Sequence, residues 1–182
     1  MHTARARGVD HVGLTVPDLP AAHRFLIDGL GAEFLYEVLG RKDPPLQGKE
    51  MEQAVALPEG TKIFTVRMYR LGDGPGIELF EYQAPSQHPA ARACDFGWQH
   101  IALYVDDMET TARRAVAAGA VQLGSPWSLM GPESGEGARF CFLRAPFGAL
   151  IELVTYPSPQ NYEATTSLRR WKPPAEPSSS ST

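Results

Sequence analysis

Cysteine is scarce: Cys94 and Cys141 are the only two in 182 residues. That excludes a disulfide-stapled scaffold and a Cys-rich zinc module, and both thiols read as small packing residues in a reducing compartment. Long apolar runs are absent, and none approaches the roughly 20 residues of a membrane span. Met1 to Gly8 carries two arginines with no apolar core behind them, so it does not read as a signal peptide, and a cytoplasmic location is expected. Excess positive charge is also lacking. Lys and Arg number 17 against 21 Asp and Glu, for a net charge of −4 and a pI near 5.7. Without a basic run or face, nucleic acid is not expected as a partner. The remainder is 43% hydrophobic and 21% charged, which suits one globular domain or two small modules sharing a core.

What the chain does have is a repeat. Asp10-His11-Val12-Gly13-Leu14-Thr15-Val16-Pro17-Asp18 has the layout of Gln99-His100-Ile101-Ala102-Leu103-Tyr104-Val105-Asp106-Asp107. Each is a His, an alternating apolar run, and then an Asp able to cap a helix. The closing segments match as well: Gly76-Ile77-Glu78-Leu79-Phe80 against Leu150-Ile151-Glu152-Leu153-Val154. The pattern predicts β-α-β-β-β twice. Strands are expected at 9–16, 33–39, 63–71 and 77–82, then at 98–105, 121–123, 138–143 and 150–156. The first helix follows Asp18, with Leu19, Ala22, Phe25 and Leu26 on one face. The second follows Asp106, with Glu109 completing a capping box and Met108, Ala112, Ala115 and Val116 facing inward. The expected organisation is a first module over 1–83, a linker over 84–97, a second module over 98–156 and a Pro/Ser-rich tail over 157–182. Ser178 to Thr182 read as disordered, and Leu168 to Trp171 as a docking segment. The first module is longer by a loop over 40–60, with a fragment of structure near 51–57. Unequal loops on a duplicated scaffold are where specificity tends to reside.

Each copy therefore places one His on its first strand and one Glu on its last. Imidazole and carboxylate are suitable ligands for a borderline or hard divalent metal. If a pseudo-twofold relates the copies, His11, Glu78, His100 and Glu152 surround one cation with room for water. A Glu inside an apolar strand needs a partner, a metal or solvent; solvent is the expectation for Glu81, on the other strand face from Glu78. His23 and His88 read as surface residues. By strand parity Phe80 and Tyr82 point the same way as Glu78, and Tyr104 the same way as His100. Phe80, Tyr104 and Arg139 are the candidate substrate contacts, with Arg67 a further candidate for an anionic group.

The segments Asp10-His11-Val12, Ile77-Glu78-Leu79, Gln99-His100-Ile101-Ala102 and Leu150-Ile151-Glu152-Leu153, with the turn Arg144-Ala145-Pro146-Phe147-Gly148, resemble the vicinal oxygen chelate superfamily. This is the group of glyoxalase I, methylmalonyl-CoA epimerase, extradiol dioxygenases and the fosfomycin and bleomycin resistance proteins. The resemblance runs from about Val9 to Tyr156. It implies an α+β fold of tandem βαβββ modules forming an open, cupped mixed sheet around a metal, often in a homodimer. Glu78 stands where methylmalonyl-CoA epimerase carries Gln, which implies chemistry of the glyoxalase type. The expected activity is a metal-dependent lyase or isomerase acting on a small molecule. A Zn, Ni, Co, Mn or Fe ion would polarise a carbonyl, and Glu152, with Glu78 as alternative or partner, would abstract the neighbouring proton. Two other readings stay open: an Fe(II) ring-cleaving dioxygenase, and a non-catalytic drug-binding protein of the same fold.

Overall fold

The computed structural model describes residues 5–174. The chain divides between Pro89 and Ala90 into two units, each holding one sheet. The first runs β1 (His11–Thr15), α1 (Leu19–Arg24), a wider π-type turn (Phe25–Gly29), β2 (Glu33–Leu39), β3 (Leu46–Gln47), α2 (Lys49–Ala54), β4 (Lys62–Arg70) and β5 (Gly76–Gln83). Its strand order is β1-β5-β4-β2, with β3 added to β4. The second runs β6 (His100–Tyr104), α3 (Met108–Ala117), β7 (Val121–Gln122), β8 (Trp127–Ser128), β9 (Arg139–Arg144) and β10 (Leu150–Thr155). Its order is β6-β10-β9-β7, with β8 added to β9. In each sheet the first strand pairs parallel with the last and the other ladders are antiparallel. These are two open, mixed, five-stranded sheets built from the expected βαβββ repeat.

The parallel pairing follows from chain geometry, because a helical crossover returns the chain to the same end of the sheet. Asp18 starts α1, its Oδ1 accepting from the Ala21 amide at 2.9 Å, with Pro20 in the first turn. Leu19, Ala22, Phe25 and Leu26 are buried, as their spacing requires. In the second unit the cap shifts by one residue from the expected Asp106. Asp107 Oδ1 accepts from the Thr110 amide at 2.8 Å. The helix begins at Met108, so Asp106 is one position too early, and Glu109 pairs with Arg139 rather than closing a capping box. The buried face is Met108, Ala112 and Ala115; Val116 is 43% exposed at its margin.

Along β5, Ile77, Leu79 and Glu81 are buried while Glu78, Phe80 and Tyr82 lie half-buried on the other face. Glu81 is thus not solvated. Arg41 clamps it with both Nε and Nη2, and Thr65 Oγ1 donates to it at 3.2 Å. An acidic residue on the core side of a strand is tolerated because a cation from the long loop reaches it. His23 also departs from expectation: it is half-buried, with Nδ1 2.8 Å from the hydroxyl of the fully buried Tyr69. Burial holds its imidazole below the usual pKa. The long loop carries a helix, α2, whose Met51, with Leu57 beyond it, packs on the cluster of Leu39, Ile63, Val66, Phe80 and Tyr82.

Candidate functional site

The two parallel ladders place each His–Glu pair in the same register. His11 faces Gly76 and Gly13 faces Glu78; His100 faces Leu150 and Ala102 faces Glu152. In both units the residue across from the Glu is among the smallest, Gly13 or Ala102, which leaves space in front of the carboxylate. His11 Nε2 stands 3.2 Å from Glu78 Oε2, and His100 Nε2 stands 3.3 Å from Glu152 Oε2. The carboxylates are 22% and 18% exposed, so both are reachable from solvent yet largely enclosed.

The other ring nitrogen is occupied in the same manner twice. His11 Nδ1 is 2.7 Å from Asp10 Oδ2, and His100 Nδ1 is 3.3 Å from Gln99 Oε1, in each case the preceding residue. An acceptor at Nδ1 fixes the tautomer with its proton there and turns the Nε2 lone pair toward the Glu. A lone pair facing a carboxylate oxygen needs positive charge between or on them. The hydrogen bond to Asp10 is the main reason the His11 pKa lies above its usual value. Burial is the main reason the Glu152 carboxyl is raised, with His100 and Arg170 pulling the other way. Ligands held about 2.0–2.2 Å from one cation stand roughly 3.0–3.5 Å apart. The His–Glu separations therefore fit a divalent metal, each unit offering one nitrogen and one oxygen. Among the described residues no group of three or more His, Cys, Asp or Glu gathers to hold a metal, so each unit brings together half of the predicted set.

The other predicted residues fall in three places. Phe80 lies on the Glu78 face and stacks on Tyr82 with centroids 5.3 Å apart, but both pack in the α2 cluster. Tyr104 lies on the Glu152 face, edge-on to Tyr156 at 4.9 Å. Arg139 pairs across β9 and β10 with Thr155, which puts it on the face opposite Glu152, where it is bonded to Glu109 at 2.7 Å. It does not join the His100–Glu152 pair. Arg67 is likewise committed, to Glu37 at 2.6 Å.

Sequence reasoning left out the basic residues of the tail. Arg170 sits 4.7 Å over the Tyr156 ring and Lys172 lies 5.6 Å from the Tyr104 ring centre. The anticipated docking of Leu168 to Trp171 is made by the Trp171 carbonyl, which accepts from the Tyr156 hydroxyl, while the indole stays half exposed. A signal existed: two arginines and a lysine flank a tryptophan in an otherwise Pro-rich segment.

Comparison with known proteins agrees with this architecture. The model of the Glyoxalase/Bleomycin resistance protein/Dioxygenase superfamily matches residues 10–142. A 2-epi-5-epi-valiolone epimerase from Actinomyces sp. is 33% identical over 171 residues, covering 92% of this chain and 90% of the relative. Among solved structures, a glyoxalase family protein from Bacillus cereus superposes with a TM-score of 0.65 at 21% identity, over 85% of this chain and 97% of the other. Glyoxalase I from Zea mays superposes with a TM-score of 0.55 at 17% identity, over 83% of this chain and 45% of its own. With the repeat, the paired ladders and these matches together, the chain belongs to the glyoxalase/bleomycin resistance protein/dioxygenase superfamily.

Proposed function

We propose that this chain is a metal-dependent epimerase that removes and returns a proton beside a ketone of a small hydroxylated substrate. The carrying observation is the duplicated His–Glu pair, His11 with Glu78 and His100 with Glu152, at 3.2 and 3.3 Å. The name of the 33% identical relative supports epimerisation and suggests 2-epi-5-epi-valiolone as the first substrate to test. Each pair, His11 with Glu78 and His100 with Glu152, would offer one nitrogen and one oxygen to a divalent metal. A bound divalent cation supplies Lewis-acid polarisation of the substrate carbonyl, which acidifies the neighbouring C–H.

The chain's own residues do the rest. Glu152 takes the proton onto its carboxylate, and its burial raises the affinity for that proton toward the range a general base needs. Protonation of the same carbon on its opposite face, by water, completes the inversion, and Glu152 gives up its proton to solvent before the next turnover; return from Glu152 itself would only restore the starting configuration. Asp10 and Gln99 keep Nδ1 of each imidazole engaged, so that Nε2 faces its carboxylate. The exposed apolar strand β2, with Phe34, Leu35, Tyr36 and Val38 all exposed at a sheet edge, supports a homodimer.

The test is elemental analysis of the purified protein, then epimerisation of 2-epi-5-epi-valiolone in deuterated water. Deuterium should enter the carbon beside the ketone, and Glu152→Gln should slow it by about 10²–10⁴-fold with an unchanged circular dichroism spectrum. Wild-type turnover in that variant removes Glu152 from the mechanism. Oxygen uptake with a catechol would instead favour ring cleavage.

A further inference from the structure

The C-terminal segment builds onto the open face of the second sheet. After β10 the chain makes a short 3₁₀ turn, Asn161–Ala164, closed by a capping box between Gln160 and Glu163. It then returns toward Tyr156, which follows Val154 and Glu152 on one strand face. The returning strap is fixed at several points. The Tyr156 hydroxyl donates to the Trp171 carbonyl. The Arg170 amide donates to the Tyr162 hydroxyl at 2.8 Å. Lys172 Nζ donates to the carbonyls of Tyr156 and Pro157, both at 3.3 Å.

Arg170 is held most firmly. Its guanidinium carbon Cζ lies 4.7 Å from the centre of the Tyr156 ring, and Nη1 donates to Glu133 Oε1 at 2.8 Å. Its side chain remains 35% exposed and Glu133 52% exposed. A guanidinium has five N–H donors and no acceptor, whereas a carboxylate only accepts. Fixed side by side, the two offer a donor and an acceptor together, and a hydroxyl group needs both. Because Glu133 offsets the charge of Arg170, the pair suits neutral hydroxyls better than a phosphate. Arg170 and Glu133 both stand near enough to Glu152 to act on its carboxyl, so one small ring can meet the pair and the proposed base together.

We propose that the Arg170–Glu133 pair, seated on Tyr156 by the C-terminal strap, is a hydroxyl-recognition subsite for the end of the substrate remote from the reacting carbon. The proposal rests on the epimerase reading for its substrate class. Arg170 is a specificity residue that binds the substrate and exchanges no proton with it.

The experiment compares full-length wild type, Arg170→Lys, Arg170→Ala and Glu133→Gln, all loaded with metal. Binding of 2-epi-5-epi-valiolone is measured by calorimetry and its epimerisation by kinetics. Arg170→Ala should weaken binding at least tenfold, with the loss falling on KM more than on kcat. Glu133→Gln should weaken it less, and Arg170→Lys should recover part of the loss because one donor remains. A KM and dissociation constant within twofold of wild type in Arg170→Ala overturns the subsite, and so does a loss borne by kcat alone. Should Arg170→Ala unfold, Arg170→Lys decides: weakened binding with an unchanged melting curve upholds the subsite, and wild-type affinity overturns it. Tight, Arg170-dependent binding without turnover upholds the subsite and sinks the epimerase reading. No binding by wild type overturns both.

Discussion

A neutral imidazole with its lone pair 3.2 Å from a carboxylate oxygen is not at rest unless a proton or a cation joins them. That residue-scale fact makes the neighbours of each His important. Asp10 is the stronger of the two orienting partners, at 2.7 Å against 3.3 Å for Gln99. Asp10→Ala should therefore weaken metal binding about 10–100-fold, measured by chelator competition, and Gln99→Ala should weaken it less. A second residue-scale prediction concerns the far side of the first sheet. Tyr69→Phe removes the hydroxyl bonded to His23 while keeping the ring volume. It should cost about 1 kcal/mol in urea unfolding and leave metal content untouched. Glu78 and Glu152 were legible as candidate ligands because each recurs at the same place in a repeat. Glu81 and His23 were misread because nothing local announces that Arg41, 40 residues away, or Tyr69, 46 residues away, will meet them.

At the scale of elements, periodicity carried most of the information. Among the described residues, eight of the ten strands fall within a residue or two of their expected bounds, since alternation fixes which side chains share a face, whereas β3 and β8, two residues each, are too short to show alternation and were not expected. The cap of α3 slipped by one because Asp106 and Asp107 are adjacent and equally able to accept an amide. Its pH behaviour follows. The Thr110 amide is the main reason the Asp107 carboxyl lies below the usual carboxylate range. A depressed pKa contributes stability that is fully present above the unfolded value, about 3.9, and is lost as pH falls through the folded value. Thermal melts between pH 5 and pH 2 should thus lose stability more steeply in wild type than in Asp107→Asn, whose amide caps without titrating. Helix α2 was foreseen only as a fragment, because its six residues bury none of their own number fully. Its place is set by the Leu39–Ile63–Val66 cluster rather than by amphipathic spacing.

For the whole molecule, the proposed metal links stability to solution conditions. A ligand that binds only the folded state at a hundred times its dissociation constant adds about 2.7 kcal/mol. Chelator-stripped protein should gain that increment with the native metal, and Glu152→Gln should gain less, as read by calorimetry. Self-association is testable separately: Val38→Lys on the exposed edge of β2 should shift sedimentation toward the monomer if that strand is the contact. The sequence by itself determined the duplication, the strand and helix faces, and the four side chains that match between copies. These depend on spacing, and spacing is written along the chain. Only the tertiary structure decided that Arg139 turns to Glu109, that Arg41 neutralises a buried Glu81, and that Arg170 returns from the tail to sit on Tyr156. Such pairings join residues whose separation is bridged by folding, and a charge leaves no periodic trace of the partner that will balance it.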